Sequence, residues 1–107
     1  METTAERVTI ITVQIAETSL GDEVCLDPNR DAMYEAYCDE YAAAIQDEYP
    51  DARILVRVAP HSQVNQSLEI TVDPDDGSYD AYTRWEAVRA RVQAIGEETF
   101  ERGGWVR

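Results

Sequence analysis

The chain has 107 residues with 22 acidic and 9 basic side chains, all of the latter arginine, which gives a net charge of -13. A surface this acidic repels nucleic acids and membranes, so direct binding to either is excluded and basic proteins are the natural partners. The length fits one domain with a single core, and we expect residues 1–107 to form that domain after a flexible start at 1–6.

Neither secretion nor membrane insertion is indicated by the sequence. It contains no apolar stretch long enough to span a membrane and no basic segment followed by a signal cleavage site. We therefore expect a cytoplasmic protein of a bacterial or archaeal host. Cys25 and Cys38 are too far apart for a CxxC pair or a zinc knuckle, which indicates reduced thiols.

The N-terminal region predicts a strand followed by a loop. Residues 7–16 are rich in β-branched side chains. Within them Ile11, Val13 and Ile15 alternate onto one face, which indicates a strand. Residues 17–26 contain a glycine and several acids and show no sustained period, as in a loop.

A long amphipathic helix is predicted next. Asp27 can cap free N–H groups and Pro28 suits the first helical position, so we expect the helix to begin there and to end at Tyr49, before Pro50. At about 100° per residue its tyrosines fall on one side and its acids on the other. The tyrosine rings either pack on the sheet with their hydroxyls at the rim, or join the acids in a binding surface.

Two further strands are predicted from apolar residues at every second position. They cover residues 53–59 and 68–72. The polar connection at 60–67 favours a hairpin with an open loop, in which Glu69 lies opposite Arg53 or Arg57.

A second helix completes the fold. Ser78 is predicted to cap it, and the pair Gly103-Gly104 ends it, with Gly96 as a second candidate end. We expect Trp85 in the core, whereas Trp105 fits either the core or a contact surface. The order β-α-β-β-α predicts an α+β domain, with a three-stranded sheet, two helices packed on one face and the other face partly exposed.

No catalytic, cofactor or metal motif is present. His61 is the only histidine and lysine is absent, which excludes HExxH, histidine clusters, P-loops and Schiff bases. The turn with Asp73, Asp75, Asp76 and Gly77 lacks the later ligands of a calcium loop. We expect no cofactor, no metal and no catalytic site, and a carboxylate enzyme that uses His61 is the least favoured alternative.

The acids are concentrated in one block. The segment from Glu17 to Asp51 contains eleven carboxylates and only one base, Arg30. Asp31, Glu35 and Asp39 are successive neighbours four residues apart, and such like charges destabilise a helix by roughly 0.2–0.5 kcal/mol per pair. Their spacing of about 5–6 Å resembles the spacing of phosphates along a nucleic-acid strand.

In size, in its lack of catalytic motifs and in its acidic, tyrosine-bearing helix (DAMYEAYCDEYAAAIQDEY), the chain resembles small phage-encoded inhibitors, including anti-CRISPR proteins and other DNA mimics. The resemblance implies a non-enzymatic inhibitor that docks on a basic surface of a nucleic-acid-handling partner, such as a CRISPR effector complex. A basic toxin is a variant of the same partner class. The expected contact residues are Asp31, Tyr34, Glu35, Tyr37, Asp39, Glu40, Asp47 and Glu48.

A small accessory or homodimerising domain is the alternative function. In that case the acidity reflects the proteome of an organism that lives in high salt. The open sheet face would then make the contacts, through Arg53, Leu55 and Arg57.

Overall fold

The structure, a computed structural model, describes residues 8–59, 68–74 and 77–106. The start at 1–6, the connection at 60–67 with His61, and Asp75 and Asp76 lie outside the described residues. The described elements are, in chain order, β1 (Ile10–Ala16), a 3-10 helix (Glu17–Leu20), α1 (Asp22–Cys25), α2 (Arg30–Glu48), β2 (Arg53–Ala59), β3 (Leu68–Asp73), α3 (Tyr79–Arg84) and α4 (Glu86–Arg102). The predicted α+β fold and its order are confirmed. The second predicted helix is divided into α3 and α4, and the 3-10 helix and α1 lie in the segment predicted as a loop.

Strand β1 lies at the centre of the sheet, parallel to β2 and antiparallel to β3. The predicted hairpin of β2 and β3 is therefore wrong, and Glu69 lies opposite Gln14 of β1. The most apolar strand takes the centre, where Ile11 and Val13 are fully buried, whereas β2 has exposed arginines that suit an edge. Helix α2 supplies the long crossover that a parallel pair requires.

The helices cover one face of the sheet. On this face the register aligns Ile11, Val13 and Ile15 with apolar residues of both neighbouring strands. Helix α2 packs over β2, and α4 packs beside α2 and over β3. The two long helices thus share one side, and on the opposite face Leu55 remains 44% exposed.

Two tyrosines of α2 attach it to the main chain of α4. The Tyr37 hydroxyl donates to the Gly96 carbonyl at 2.9 Å, and the Tyr41 hydroxyl donates to the Val92 carbonyl at 2.7 Å. Both hydroxyls are buried, so the expectation that they lie at the rim is wrong. Helix α4 continues through Gly96 and ends before Gly103, whose φ of 70° is the left-handed conformation of a helix C-cap.

Local side-chain contacts move two helix boundaries from the predicted positions. The Asp27 carboxylate accepts a hydrogen bond from the Asn29 amide at 2.7 Å, which closes a turn ahead of α2, so the helix begins at Arg30. The second predicted helix is interrupted at Trp85. Its buried indole donates to the Pro74 carbonyl at 2.8 Å, and α3 and α4 meet at this residue.

Trp105 belongs to the core, one of its two predicted roles. Its side chain is 3% exposed, and its ring meets that of Tyr37 edge-on with 5.4 Å between centroids. Its indole N–H also donates to the Phe100 carbonyl at 3.3 Å. The segment after α4 therefore folds back and closes the helical layer.

Candidate functional site

Helix α2 presents a row of carboxylates, interrupted at Ala43, on the side opposite the core. Every fourth position from 31 to 47 is exposed, and all of these except Ala43 are acidic. We call the four carboxylates the acidic ridge: Asp31, Glu35, Asp39 and Asp47. The buried residues of α2 repeat with the same period two residues later, about half a turn around the helix: Met33, Tyr37, Tyr41 and Ile45. At about 1.5 Å per residue the ridge extends about 24 Å.

The acidic ridge has no ionic partner within the part of the chain that the structure describes. No described basic group lies within ion-pairing distance of its four carboxylates. Asp31 lies in the first turn, where the helix dipole favours an anion, but Asp47 faces the negative end. Adjacent carboxylates also repel one another, so the buried side of α2 must offset a cost in helix stability.

Glu48 does not belong to the acidic ridge, although the sequence predicts it as a contact residue. Its carboxylate is held by the Arg91 guanidinium of α4, with the Nε–Oε1 distance at 2.8 Å. This hydrogen bond lowers the pKa of Glu48. Arg91 also contacts Glu98 at 3.1 Å, and the three groups join the end of α2 to α4.

Three other predicted contact residues are not part of the ridge. Tyr37 is 5% exposed and belongs to the core, where burial raises its pKa to about 12. Glu40 is half-buried, and its carboxylate lies against Gly104, where a Cβ would be 3.0 Å from Oε1. Tyr34 is half-buried beside the ridge, with its hydroxyl 3.4 Å from the Glu17 carbonyl. The structure thus brings four of the eight predicted residues into one surface, with Tyr34 at its margin.

A groove that the sequence does not predict runs between α2 and β2. It has a volume of about 320 Å³ and combines one acidic wall with an apolar floor. Its lining residues are Asp31, Tyr34, Glu35, Cys38, Asp39, Val56 and Val58. The groove exists because β2 is an edge strand beneath α2. The sequence does contain one signal for this arrangement, the long helix between β1 and β2. A connection of that length allows two strands to pair in parallel.

At this groove, successive residues of β2 direct their main-chain N–H and C=O groups alternately toward β1 and away from it. The Arg53 amide donates to the Thr9 carbonyl at 2.9 Å, so Arg53 and every second residue after it pair with β1. The N–H and C=O groups of Ile54, Val56 and Val58 consequently point away from β1. Among the described strands none pairs with that side of β2.

Cys38 lies within the groove, where burial raises the pKa of its thiol to about 11, despite an opposing contact from the Val58 amide. The thiol is therefore protonated at neutral pH and is a poor nucleophile. Cys25 and Cys38 are both free cysteines.

A second cleft of about 370 Å³ is lined by residues of α2 and α4, together with Ile15 of β1 and Leu68 of β3. Its floor is apolar and includes the rings of Tyr37 and Tyr41 and the side chain of Phe100, which is 43% exposed. Glu97 and Glu101 form part of its rim. Both clefts therefore combine apolar surface with negative charge.

The described residues contain no group of three His, Cys, Asp or Glu side chains that could hold a metal ion. None of their helices is long and apolar enough to cross a membrane. No protein-family model, curated protein or solved structure matches the chain.

Proposed function

We propose that this protein is a non-enzymatic acidic inhibitor that docks through its acidic ridge on a basic surface of a nucleic-acid-handling protein, such as a CRISPR effector complex. It acts in the cytoplasm of a bacterial or archaeal host, where such a partner works. The observation that carries the proposal is the ridge itself: four exposed carboxylates along about 24 Å of one helix, without a described basic partner.

Simple electrostatics explains how the ridge selects its partner. Asp31, Glu35 and Asp39 repeat about every 6 Å along the helix axis, and Asp47 follows about 12 Å beyond Asp39. A groove of arginines and lysines built for phosphates would therefore meet a regular series of negative charges. The negative ridge attracts the basic surface of the partner and so steers the encounter. The same negative charge repels nucleic acid from the occupied site of the partner. When the protein occupies the basic groove of its partner, the partner's nucleic acid cannot bind there. This exclusion is the basis of inhibition.

The proposal is supported by a clear separation of roles along α2. The carboxylate that the fold uses, Glu48, is held by Arg91, whereas the neighbouring Asp47 is exposed and lies on the ridge. Repulsion along the ridge lowers the stability of the helix. A surface that costs stability and serves no internal contact is typical of a binding site.

The test begins with capture of a partner from the native host and uses two variants of equal charge. In the ridge variant Asp31, Asp39 and Asp47 become Asn and Glu35 becomes Gln. In the control variant four exposed acids off the ridge become Gln: Glu23, Glu86, Glu97 and Glu101.

We expect the ridge variant to bind at least about fourfold more weakly, because four lost ion pairs amount to roughly 0.8–4 kcal/mol. The control variant should stay within about threefold of the native protein, and the native protein should displace nucleic acid from the partner. Equal loss in both variants would show that only net charge matters and would contradict a specific ridge.

The accessory or homodimerising domain remains the second candidate, because Leu55 is 44% exposed on the uncovered sheet face. Arg57 on the same face donates a hydrogen bond to the Gln14 side chain of β1 at 2.9 Å. Light scattering of the native protein and of Leu55→Glu, at low and at molar salt, tests this function. The accessory or homodimerising function is favoured if the native protein is a dimer that Leu55→Glu dissociates. It is also favoured if the protein folds only in molar salt.

A further inference from the structure

We infer that the partner binds by adding an extended basic segment to the sheet, as a fourth strand along the edge of β2 that faces away from β1. The inference rests on the proposed function, because it specifies how the basic partner is recognised. It joins three features that the structure places side by side: an edge strand, a groove and the acidic ridge.

The main chain of β2 provides the attachment. The N–H and C=O groups of Ile54 and Val56 point to the edge, because Arg53 and its alternate residues bond to β1. Such groups are a template for strand addition, in which main-chain hydrogen bonds supply affinity. The Val58 amide already contacts the Cys38 thiol, so the added strand bonds to β2 at Ile54 and Val56.

The acidic ridge provides the selectivity. Side chains of an added strand alternate between the two faces of the sheet, and those on the helical face reach the groove wall formed by Asp31, Glu35 and Asp39. The repeat of two strand residues is about 6.7 Å and the step between ridge carboxylates is about 6 Å. Three basic residues at alternate positions of one strand can therefore each meet one carboxylate.

The face of the sheet away from the helices determines which residues suit the positions between the basic residues of the added strand. There Arg53 and Arg57 are exposed and Leu55 is 44% exposed. Basic residues on that face would repel the arginines, whereas apolar residues would cover Leu55. The expected motif is a segment that alternates Arg or Lys with apolar residues.

A second copy of this chain does not fit the same edge. Two β2 edges brought together across a twofold axis would also bring two acidic ridges together. Like charges so close, and partly removed from water, oppose association. A basic strand from another protein is the occupant that the charges favour.

Two peptides of equal charge test the inference. The first alternates its residues, Ac-Arg-Val-Arg-Val-Arg-Val-Arg-NH2, and the second is the same peptide with N-methyl groups on the backbone nitrogens of its central Arg-Val-Arg, which removes these N–H donors for either strand direction and keeps the charge. Amide hydrogen exchange, measured by NMR, reports on the edge of β2. We expect the first peptide alone to slow exchange at Ile54 and Val56 by at least tenfold, with little change at Leu55 and Arg57, which already pair with β1.

A matched pair of variants extends the test to the captured partner. Val56→Pro removes the outward N–H without removing a bond to β1, and Val56→Thr keeps that N–H with a side chain of similar shape. The expected result is at least tenfold weaker partner binding by Val56→Pro and less than threefold change by Val56→Thr. Circular dichroism establishes that both variants fold, and the peptide exchange data do not depend on either.

The possible failures separate this inference from the proposed function. If both peptides act alike, or neither protects Ile54 and Val56, strand addition is wrong. The same holds if Val56→Pro binds the partner as well as Val56→Thr does. In each case the ridge variant can still lose partner binding, which would leave the acidic inhibitor in place with a different docking mode.

Discussion

The ring of Tyr41 lies so close to Gly96 that no other residue fits opposite it. A Cβ at position 96 would be 2.6 Å from Cζ of Tyr41 and 2.7 Å from its hydroxyl oxygen. This close contact brings α4 against α2 and thereby fixes the helix that carries the acidic ridge.

Replacement of Gly96 by Ala should therefore destabilise the protein, although Ala favours helices. Overpacking costs roughly 1–3 kcal/mol, more than the 0.5–1 kcal/mol or so that Ala gains inside a helix. Chemical denaturation measures the difference. In a Tyr41→Leu background the same replacement should cost much less, and an equal cost in both backgrounds would contradict the contact.

The buried hydroxyls of Tyr37 and Tyr41 predict a loss of stability at alkaline pH. Burial raises the pKa of both groups, that of Tyr37 to about 12 from the ordinary value of 10.0. A group such as a tyrosine hydroxyl, whose pKa is higher in the folded than in the unfolded protein, contributes its full stabilisation below the unfolded pKa. That stabilisation is lost as the pH rises from the unfolded pKa toward the folded pKa.

The free energy of unfolding should accordingly fall between about pH 10 and pH 12. Denaturant titrations across this range measure it, and the part of the tyrosinate absorbance that Tyr37 and Tyr41 contribute should rise together with unfolding. Tyr37→Phe removes one of the titrating groups and should show a shallower fall. Stability that stays constant over this range would show that the hydroxyls are accessible to water.

Glu35 offers a test of the cost of the ridge. It lies between Asp31 and Asp39, so Glu35→Gln removes two repulsive neighbours and should stabilise the protein by roughly 0.4–1 kcal/mol at low salt. The gain should disappear in molar salt, because the repulsion is screened. Glu23→Gln serves as the exposed control. No gain for Glu35→Gln would indicate that the ridge carboxylates do not interact.

Asp47 and Glu48 are adjacent carboxylates for which we expect opposite results. Asp47→Asn should weaken partner binding several-fold and leave stability almost unchanged. Glu48→Gln should leave binding intact and lower the stability slightly, since it loses the exposed contact with Arg91. Calorimetric binding and denaturation of the two variants measure both effects. The reverse pattern would place the contact surface on the α4 side of the helix.

Local patterns predict much of this fold. The alternation of Ile11, Val13 and Ile15 identifies β1, and the four-residue period of Asp31, Glu35 and Asp39 identifies an exposed helix face. These features depend on residues that are close in the chain, so the geometry of a strand or helix is enough to derive them.

Long-range contacts account for what the sequence does not predict. Nothing local in β2 shows whether it pairs with β1 or with β3, and the groove depends on that choice. Glu48 looks like any other acid of α2 until Arg91, 43 positions away, is folded against it. Tyr37 likewise becomes a core residue only because Gly96 lets α4 approach α2.

The salt dependence of partner binding tests the proposed function most directly. Log Kd for the captured partner is measured against log salt concentration for the native protein, the ridge variant and the control variant. We predict a steep weakening with salt for the native and control proteins and a much shallower slope for the ridge variant, because its ion pairs are missing. Equal slopes for the ridge and control variants would contradict the proposal that the ridge is the docking surface.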